Sequence, residues 1–222
     1  MKKIAIIHTT PVTIPVLKIA IEKKCEEYEE KIEIINLLDD SALPEINKTG
    51  KITEGVQYRL GTLLIMAQSI GADAVLCACS SIGGAIEKAA ELITVPVLRI
   101  DEPMAKKAAE HSRIGIAATL ESTVVPTRVL IERKIKEINH KAEIESFVIE
   151  GAGKLLAEGR GEDYDNLVGK TLEEMLEKNE IVVLAQASMA RAVEKWPQEK
   201  KCRCLTSVES GVEALVDFLK RQ

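Results

Sequence analysis

The sequence predicts an α/β fold with two pseudo-symmetric lobes, each built from a roughly four-stranded parallel sheet flanked by helices. Apolar, strand-like runs alternate with helix-like periodic segments along the chain. Aromatic residues make up only 3% of the sequence, so the core is aliphatic, as in buried parallel strands. The segment "AVLCACSSIGGAIEK" at 74–88 returns as "IVVLAQASMARAVEK" at 181–195, with six identities in fifteen positions. A repeat within such an alternating chain predicts two homologous lobes.

The first lobe is expected to contain four strands separated by helices. We predict these strands at 3–8, 31–38, 73–79 and 95–100. Helices are predicted from about Thr13, over about 53–70, and from Ser80 and Ser81 onward, while 39–50 is interpreted as a loop. Helical crossovers between strands are right-handed and place the strands in parallel.

The second lobe repeats this order. We predict strands at 113–119, 142–149, 181–186 and 202–206. Helices are predicted at about 102–111, up to about 138, in one or two pieces up to 178, after 186, and finally up to about 220. The repeat extends further, because 3–10 pairs with 113–120 and 96–110 pairs with 203–217. We therefore assign residues 1–101 plus 207–222 to the first lobe and residues 102–206 to the second.

The composition excludes several classes of protein. The 222 residues are 46% hydrophobic and 29% charged, with a net charge of −5 and no basic block, which argues against nucleic-acid binding. The start "MKKIAIIH" reads as a strand rather than a signal peptide, and no apolar run approaches the ~20 residues of a membrane span. We expect a cytoplasmic protein without membrane partners, whose five cysteines are reduced.

Cys79 in the first copy of the repeat stands where Gln186 stands in the second. Both are the last residues of predicted strands, and ligands of α/β sheets bind outside the carboxyl ends of strands. The two positions are therefore expected to face one another across an active-site cleft between the lobes. A thiol at the start of a helix suits proton transfer at carbon, because the helix N-terminus favours the thiolate. Ser80 and Ser81 are expected to cap that helix and to hold a carboxylate or enolate oxygen.

Four segments carry a resemblance to a known family: "ADAVLCACSS", "RIGIAATLEST", "VVLAQASM" and "TSVESGVEALV". In order and duplication they resemble the aspartate/glutamate racemase superfamily, which also contains hydantoin racemases, maleate isomerases and arylmalonate decarboxylases. The resemblance spans nearly the whole chain. It implies two pseudo-symmetric lobes, no metal or organic cofactor, and cysteine chemistry on a small carboxylate. We also expect a homodimer.

The resemblance implies a set of site residues in both lobes. Cys79 matches the first family cysteine, and the oxygen-binding residues beside it are Ser80 and Ser81. The carboxylate-binding loop of the second lobe is matched by Thr119, Ser122 and Thr123. The loop after the first strand supplies His8, Thr9 and Thr10, and the second-cysteine segment supplies Gln186, Ala187 and Ser188.

Gln186 departs from the family pattern. An amide donates and accepts hydrogen bonds but does not exchange protons near neutral pH, so the two-thiol mechanism does not transfer intact. A racemase then needs a second proton-transfer group, for which His8 is the candidate. The alternative for His8 is a hydrogen-bonded structural histidine in the same lobe as Cys79.

Three functions remain open on these observations. The first is a cofactor-independent racemase or isomerase acting beside the carboxylate of an amino acid or related dicarboxylate. The second is a lyase or decarboxylase that uses Cys79 on one face only. The third is a carboxylate-binding protein without turnover.

The cysteines also allow readings unrelated to catalysis. Cys79 can be an inert core residue, and Cys77 is expected to be one. Two C-x-C pairs, Cys77 with Cys79 and Cys202 with Cys204, raise the idea of a zinc site. Structural zinc ligands are typically separated by about two to four residues, so we expect no metal.

Overall fold

The computed structural model describes residues 1–27 and 31–221 and divides into two compact units. The first unit comprises Met1–Asp101 with Val208–Gln222, and the second comprises Glu102–Ser207. None of the helices within the described ranges is long and apolar enough to cross a membrane.

Strands and helices alternate in both units. The first unit contains β1 (Lys2–His8), α1 (Thr13–Glu27), β2 (Ile32–Leu38), α2 (Ala42–Thr49), α3 (Glu54–Ser69), β3 (Ala74–Cys77), α4 (Gly83–Ala89) and β4 (Val97–Arg99). The second contains α5 (Glu102–Ala109), β5 (Arg113–Ala118), α6 (Glu121–Glu137), β6 (Glu143–Val148), α7 (Ala152–Ala157), α8 (Gly161–Lys178), β7 (Ile181–Leu184), α9 (Gln198–Lys201) and β8 (Cys204–Thr206). The last helix, α10 (Ser207–Lys220), returns the chain to the first unit.

Each unit contains a four-stranded parallel sheet in the residues described. The strand orders are β2-β1-β3-β4 and β6-β5-β7-β8, so the second sheet repeats the topology of the first. This confirms the predicted fold class with its two lobes. In each sheet the direction of strand addition reverses, between β1 and β3 and between β5 and β7. Ligands of open α/β sheets bind at the carboxyl edge of such switch points.

Both faces of the sheets are covered. Ile4 and Ile6 of β1 contribute to one buried cluster, while Ala5 and Ile7 contribute to another. Successive side chains of a strand point to opposite faces, so a strand buried on both sides must be apolar throughout. This explains the unbroken apolar runs that predict these strands.

The segment 39–50 is a helix rather than the predicted loop over most of its length. Ala42 and Ile46 lie one turn apart in α2 and are buried against the first unit's core. Pro44 falls within the first turn, where its missing N–H costs no intrahelical hydrogen bond. Gly50 ends the helix with φ 68°, a conformation that glycine adopts without strain.

Two predicted strands end early, and the segments after them are tighter than expected. The strand predicted to reach Cys79 ends at Cys77, and the strand predicted to reach Gln186 ends at Leu184. Ser80–Ile82 and Ala187–Val193 form 3-10 helices, so the helix predicted after Gln186 is not an α-helix. Cys79 and Gln186 therefore lie beyond the ends of their strands, in extended backbone directly before the 3-10 helices.

Candidate active site

The duplicated fold brings equivalent residues to the carboxyl edge of each switch point. In the first unit, Thr9 follows β1 and Cys79 follows β3. In the second unit, Thr119 follows β5 and Gln186 follows β7. Cys79 has φ −138° and ψ 117°, and Gln186 has φ −138° and ψ 140°, each directly before a 3-10 helix. Cysteine and glutamine therefore occupy equivalent positions in their own units.

Cys79 and Cys77 differ in access although they lie two residues apart. Cys79 is half-buried and packs against the first unit's core, whereas Cys77 is 1% exposed. Burial raises the pKa of the Cys77 thiol, and this thiol donates a hydrogen bond to the Cys79 carbonyl oxygen at 3.4 Å. Cys77 is thus the core residue expected from its strand, and Cys79 is the thiol at the surface of the site.

Ser80 and Ser81 lie directly after Cys79 in the 3-10 helix and are half-buried. The expected capping by these serines is wrong. Cys79 and Ile82 hold the N-cap positions of the 3-10 helix and of α4, and neither cap is made by a side chain. Capping of α4 therefore does not occupy the serine hydroxyls, which leaves them available to a ligand.

Gln186 is bound to Thr119 at two points. The Gln186 Oε1 accepts a hydrogen bond from the Thr119 backbone N–H at 2.6 Å, and its Nε2 donates to Thr119 Oγ1 at 2.9 Å. The side chain thus bridges the carboxyl ends of β5 and β7. The amide therefore fixes the residues that follow β5 and β7 relative to one another. It has no proton that it can transfer as an acid near neutral pH.

Tyr164 is a member of this cluster that the sequence analysis missed. It is 0% exposed on α8, and its hydroxyl lies 3.1 Å from Ser188 Oγ. Burial raises the pKa of Tyr164, and the hydrogen bond with Ser188 acts in the opposite direction. In the sequence, Tyr164 shares a helical apolar stripe with Val168 and Leu172, so it reads as an ordinary core residue.

His8 is buried, and both ring nitrogens are occupied by neighbouring side chains. Nδ1 shares a hydrogen bond with Thr13 Oγ1 at 2.7 Å, and Nε2 shares one with Asn36 Oδ1 at 2.9 Å. The Thr13 hydroxyl also lies 3.1 Å from the Thr10 carbonyl oxygen, to which it can donate. Burial lowers the pKa of His8, opposed by the Asn36 contact. This geometry favours the alternative in which His8 is a structural histidine that holds the loop after β1.

Thr9 has the environment opposite to that of its repeat partner Thr119. Thr9 is 3% exposed, and its Oγ1 is buried without a hydrogen-bond partner in the described part of the chain. In the second unit the long amide of Gln186 reaches the threonine hydroxyl, whereas Cys79 makes no such bond to Thr9. A buried hydroxyl without a partner is costly and is often explained by a ligand or an ordered water.

The hydroxyl groups of two other predicted site residues, Thr10 and Thr123, already form hydrogen bonds within the protein. Thr10 Oγ1 lies 3.4 Å from the Val12 backbone N–H, from which it accepts. Ser122 and Thr123 fall in the first turn of α6 rather than in a loop, and the Thr123 hydroxyl donates to the Leu120 carbonyl at 2.8 Å. Ala187 is half-buried beside Gln186 and offers only its backbone.

A buried ion pair at the end of β4 was also missed. Arg99 donates to both carboxylate oxygens of Asp101, at 2.9 and 2.7 Å, and lies 3.4 Å from Glu87. A Cβ added at Gly83 would fall 2.3 Å from Arg99 Cζ, so the guanidinium lies directly against the first residue of α4. In the sequence, Asp101 suggests only a helix cap, because its partner is defined by the fold.

Other features of the described chain do not add to the site. Among residues 1–27 and 31–221, no group of three or more His, Cys, Asp or Glu side chains could hold a metal ion. A surface pocket of about 390 Å³ lies at the amino ends of β5 and β6, lined by Ser112, Arg113, Lys141, Ala142 and Glu143. It lies at the opposite edge of the sheet from Thr119 and contains none of the predicted site residues.

Comparison with known proteins gives the family. No curated protein matches the sequence significantly. A protein of Yersinia pestis provisionally named an Asp/Glu racemase has a similar structure, with a TM-score of 0.77, 12% identity, and coverage of 98% of this chain and 99% of that chain. A glutamate racemase of Bacillus anthracis has a TM-score of 0.70 and 18% identity, with coverage of 99% of this chain and 82% of that chain. An allantoin racemase of Klebsiella pneumoniae has a TM-score of 0.69 and 19% identity, with coverage of 99% of this chain and 88% of that chain.

These structures share the fold of this chain, and the family model extends the agreement to the sequence. The model described as Asp/Glu/hydantoin racemase matches residues 9–215, which include the candidate residues from Thr9 to Ser188. Racemases are isomerases, so the match defines the broad enzyme class. The chain belongs to the Asp/Glu/hydantoin racemase family.

Proposed function

We propose that this protein is a cofactor-independent isomerase-type enzyme in which Cys79 exchanges a proton at the carbon next to a substrate carboxylate. The substrate is a small carboxylate, an amino acid or a related dicarboxylate. The observation that carries the proposal is the position of Cys79, half-buried at the carboxyl edge of β3 beside the switch point. Cys77, two residues earlier, is buried and held as a thiol, so it does not compete for this role.

Hydroxyl groups are proposed to stabilise the substrate's developing negative charge. Removing a proton next to a carboxylate places charge on the carboxylate oxygens, and preorganised donors are the usual way to stabilise such charge. The unpartnered Thr9 hydroxyl and the half-buried Ser80 and Ser81 can supply donors in the first unit. Ser188 offers a hydroxyl in the second unit, next to Tyr164.

A second candidate function is a lyase or decarboxylase that uses Cys79 on one face only. Gln186 has no acid–base proton, and the two nitrogens of His8 are occupied by Thr13 and Asn36. In exchange with retention, the Cys79 thiolate removes the substrate proton and returns one to the same face. In decarboxylation, the carbon–carbon bond breaks, carbon dioxide leaves and the electron pair remains as an enolate. Cys79 Sγ–H then protonates the carbon, and the thiolate recovers a proton from water.

Proton NMR in deuterated buffer tests the proposal. The compounds are both enantiomers of aspartate and glutamate, substituted hydantoins and substituted malonates, each incubated with wild type and with Cys79→Ala. Exchange with inversion indicates a racemase. Exchange with retention or loss of carbon dioxide indicates chemistry on one face. Turnover that persists in Cys79→Ala would overturn the role of Cys79, and binding without any exchange would indicate a carboxylate-binding protein.

A further inference from the structure

We propose that Arg99 is a positioning residue for Cys79: its buried guanidinium fixes the turn formed by residues 79–83. This turn carries Cys79 and the two serines that follow it. The role of the turn toward substrate rests on the proposed function. The contacts that hold the turn do not.

Both ends of the turn are anchored at Arg99. At the first end, Cys77 pairs with Arg99 in the parallel register of β3 and β4, and the Cys77 carbonyl accepts a hydrogen bond from the Ile100 N–H at 3.0 Å. At the other end, a Cβ added at Gly83 would fall 2.3 Å from Arg99 Cζ, so the guanidinium lies against the Gly83 backbone. Residues 78–82 span the gap between these anchored positions, so a movement of the guanidinium would move the turn.

Carboxylates fix the guanidinium itself. Its Nε and Nη2 donate to the two oxygens of Asp101 at 2.9 and 2.7 Å, and its Nη1 lies 3.4 Å from Glu87 Oε1. Arg99 is 7% exposed and Asp101 is 2% exposed. A planar, bidentate pair of this kind fixes the orientation of a guanidinium as well as its position. The surface that faces Gly83 is therefore rigid.

The contacts of Arg99 match the geometry of an α-helix. Gly83 and Glu87 are four residues apart in α4, and residues at this spacing lie on one face of an α-helix. In a 3-10 helix, residues three apart are aligned instead. Because Arg99 contacts both residues, it favours α-helical geometry from Gly83 onward.

The second unit lacks this arrangement. Of the four residues involved, only the glutamate is retained at the offset of 107, as Glu194. The residues that replace Gly83, Arg99 and Asp101 are Ala190, Thr206 and Val208. There the segment after Gln186 stays a 3-10 helix through Val193, and the Gln186 amide fixes the edge of the sheet. In the first unit Arg99 fixes the turn through its backbone, which leaves the Cys79 thiol available for chemistry.

Copying residues of the second unit into the first removes the contact without creating a clash. In Gly83→Ala/Arg99→Thr/Asp101→Val, no guanidinium meets the added methyl group and no carboxylate remains at position 101. Arg99→Lys keeps the charge but loses the planar, bidentate contact, and it gives the same reading where the copied set does not fold. Gly84→Ala is the matched control, because it adds a methyl group to the same helix where nothing lies within 4 Å.

Hydrogen exchange followed by NMR measures the opening of the turn. The residue 83 amide donates to the Ser80 carbonyl, so it exchanges when the turn opens. Its protection should fall roughly tenfold or more in both variants, which corresponds to about 1.4 kcal/mol in the free energy of opening. It should not fall in Gly84→Ala. The Asp73 amide, bound to the Lys3 carbonyl at 2.7 Å, should keep its protection throughout. Unchanged protection at residue 83 in a folded variant, or an equal loss at Asp73, would overturn the proposal.

Alkylation by iodoacetamide separates a released turn from a loosened protein. In the Cys202→Ser background, Cys79 should react faster in both variants, because the turn that packs it against the core opens more often. Cys25 is buried in the same unit, on the other face of the sheet, and should keep its wild-type rate. Equal gains at Cys79 and Cys25 would indicate a loss of stability alone and would overturn the positioning role. A wild-type rate at Cys79 in Arg99→Lys would overturn it too, since charge alone would then suffice.

The proposed function can fail independently of Arg99. It fails if deuterium exchange persists in Cys79→Ala, whereas the measurements at residue 83 and at the Cys79 thiol need no substrate.

Discussion

At the scale of single residues, the two halves of the duplication differ in which polar atoms are left without partners. Thr119 has its backbone N–H and its hydroxyl bound by Gln186, whereas the equivalent Thr9 has a buried hydroxyl with no partner in the described residues. Hydrogen bonds add little net stability, but a buried polar atom left unpaired is costly. The first unit therefore carries an unpaired donor at its edge, and the second unit has satisfied its own.

Substituting the two threonines should have opposite effects on stability. Thr9→Val replaces an unpaired hydroxyl by a methyl group of the same shape, so we expect a neutral effect or a gain of up to about 1 kcal/mol. Thr119→Val leaves the Gln186 amide nitrogen unpaired and should cost about 1–2 kcal/mol. In a chain of this size that loss lowers the melting temperature by roughly 2–8 °C, measurable by calorimetry. A larger loss in Thr9→Val than in Thr119→Val would show that Thr9 has a protein partner.

Iodoacetamide should modify Cys79 before the buried cysteines. Burial raises the pKa of Cys77 and raises that of Cys204 to about 12, which suppresses their thiolates, and Cys25 is also buried. Cys202 is exposed, so it would react with iodoacetamide whatever its role. Labelling is therefore best followed in the Cys202→Ser variant. Peptide mapping by mass spectrometry near neutral pH should find Cys79 as the first site. Preferential labelling of Cys77 would contradict the assignment.

His8 should make the protein less stable in mild acid. Its pKa in the folded state lies below the ordinary value of 6.5, mainly because of burial. Below pH 6.5 the unfolded chain gains a proton that the folded chain does not, so the free energy of unfolding falls as pH falls toward the folded pKa. It is unaffected by His8 above pH 6.5. The loss of melting temperature between pH 7.5 and 5.5 should be smaller in His8→Gln than in wild type, and an equal loss would exclude His8 as its source.

At the scale of elements, the start of α4 depends on the ion pair at the end of β4. Arg99 is bound by both oxygens of Asp101, so its guanidinium cannot move away from Gly83 without breaking that pair. The pair is 6% and 2% exposed at its side chains, and removing one partner of a buried pair leaves an uncompensated charge. The turn that carries Cys79 is thus followed by a helix packed directly on a rigid group.

Alanine substitutions at two adjacent glycines should separate this contact from helix propensity. The Gly83→Ala side chain would fall 2.3 Å from Arg99 Cζ, and we expect it to cost about 1–3 kcal/mol through overpacking. At Gly84 nothing lies within 4 Å, so Gly84→Ala should gain roughly 0.5–1 kcal/mol from the better helix propensity of alanine. Urea unfolding measures both. A stable Gly83→Ala would show that Arg99 can be displaced at little cost.

The order of the elements is predictable from the sequence because periodicity reports burial. Residues 4–7 of β1 are all apolar, since each face of the strand contributes to a different buried cluster. Periodicity does not predict α2, because the helix is short and has only Ala42 and Ile46 as buried positions. Pro44 also suggests a turn. Periodicity also places the ends of β3 and β7 too late, since Cys79 and Gln186 keep an extended backbone beyond the last paired residue of each strand.

At the scale of the whole molecule, the duplication predicts more of the site than any single motif. Pairing 3–10 with 113–120 and 74–88 with 181–195 correctly places Thr9, Cys79, Thr119 and Gln186 at the carboxyl edges of their sheets. The partners of these residues are not predictable in the same way. Tyr164 reaches Ser188 from another helix, and Arg99 reaches Gly83 from another strand, so both contacts depend on tertiary packing.

The repeat in the sequence implies that the duplicated positions serve one substrate carbon. If they do, Gln186→Cys restores the second proton-transfer group of a racemase. General acid–base groups typically contribute roughly 10²- to 10⁴-fold in rate, so even a poorly oriented thiol should raise inversion above the wild-type level. The same change removes both hydrogen bonds to Thr119, which should cost about 1–3 kcal/mol of stability.

Gln186→Ala is the matched control, since it loses the same two hydrogen bonds but adds no thiol. Chiral analysis of aspartate, glutamate or whichever carboxylate the deuterium screen identifies should show inversion in Gln186→Cys and none in Gln186→Ala. Adding Cys79→Ala to Gln186→Cys should abolish the gain, because inversion requires one group to remove the proton and another to deliver it from the opposite face. A Gln186→Cys protein that binds substrate but inverts it no faster than Gln186→Ala would show that positions 79 and 186 do not act on the same carbon. The similarity of the two copies would then reflect a shared fold alone.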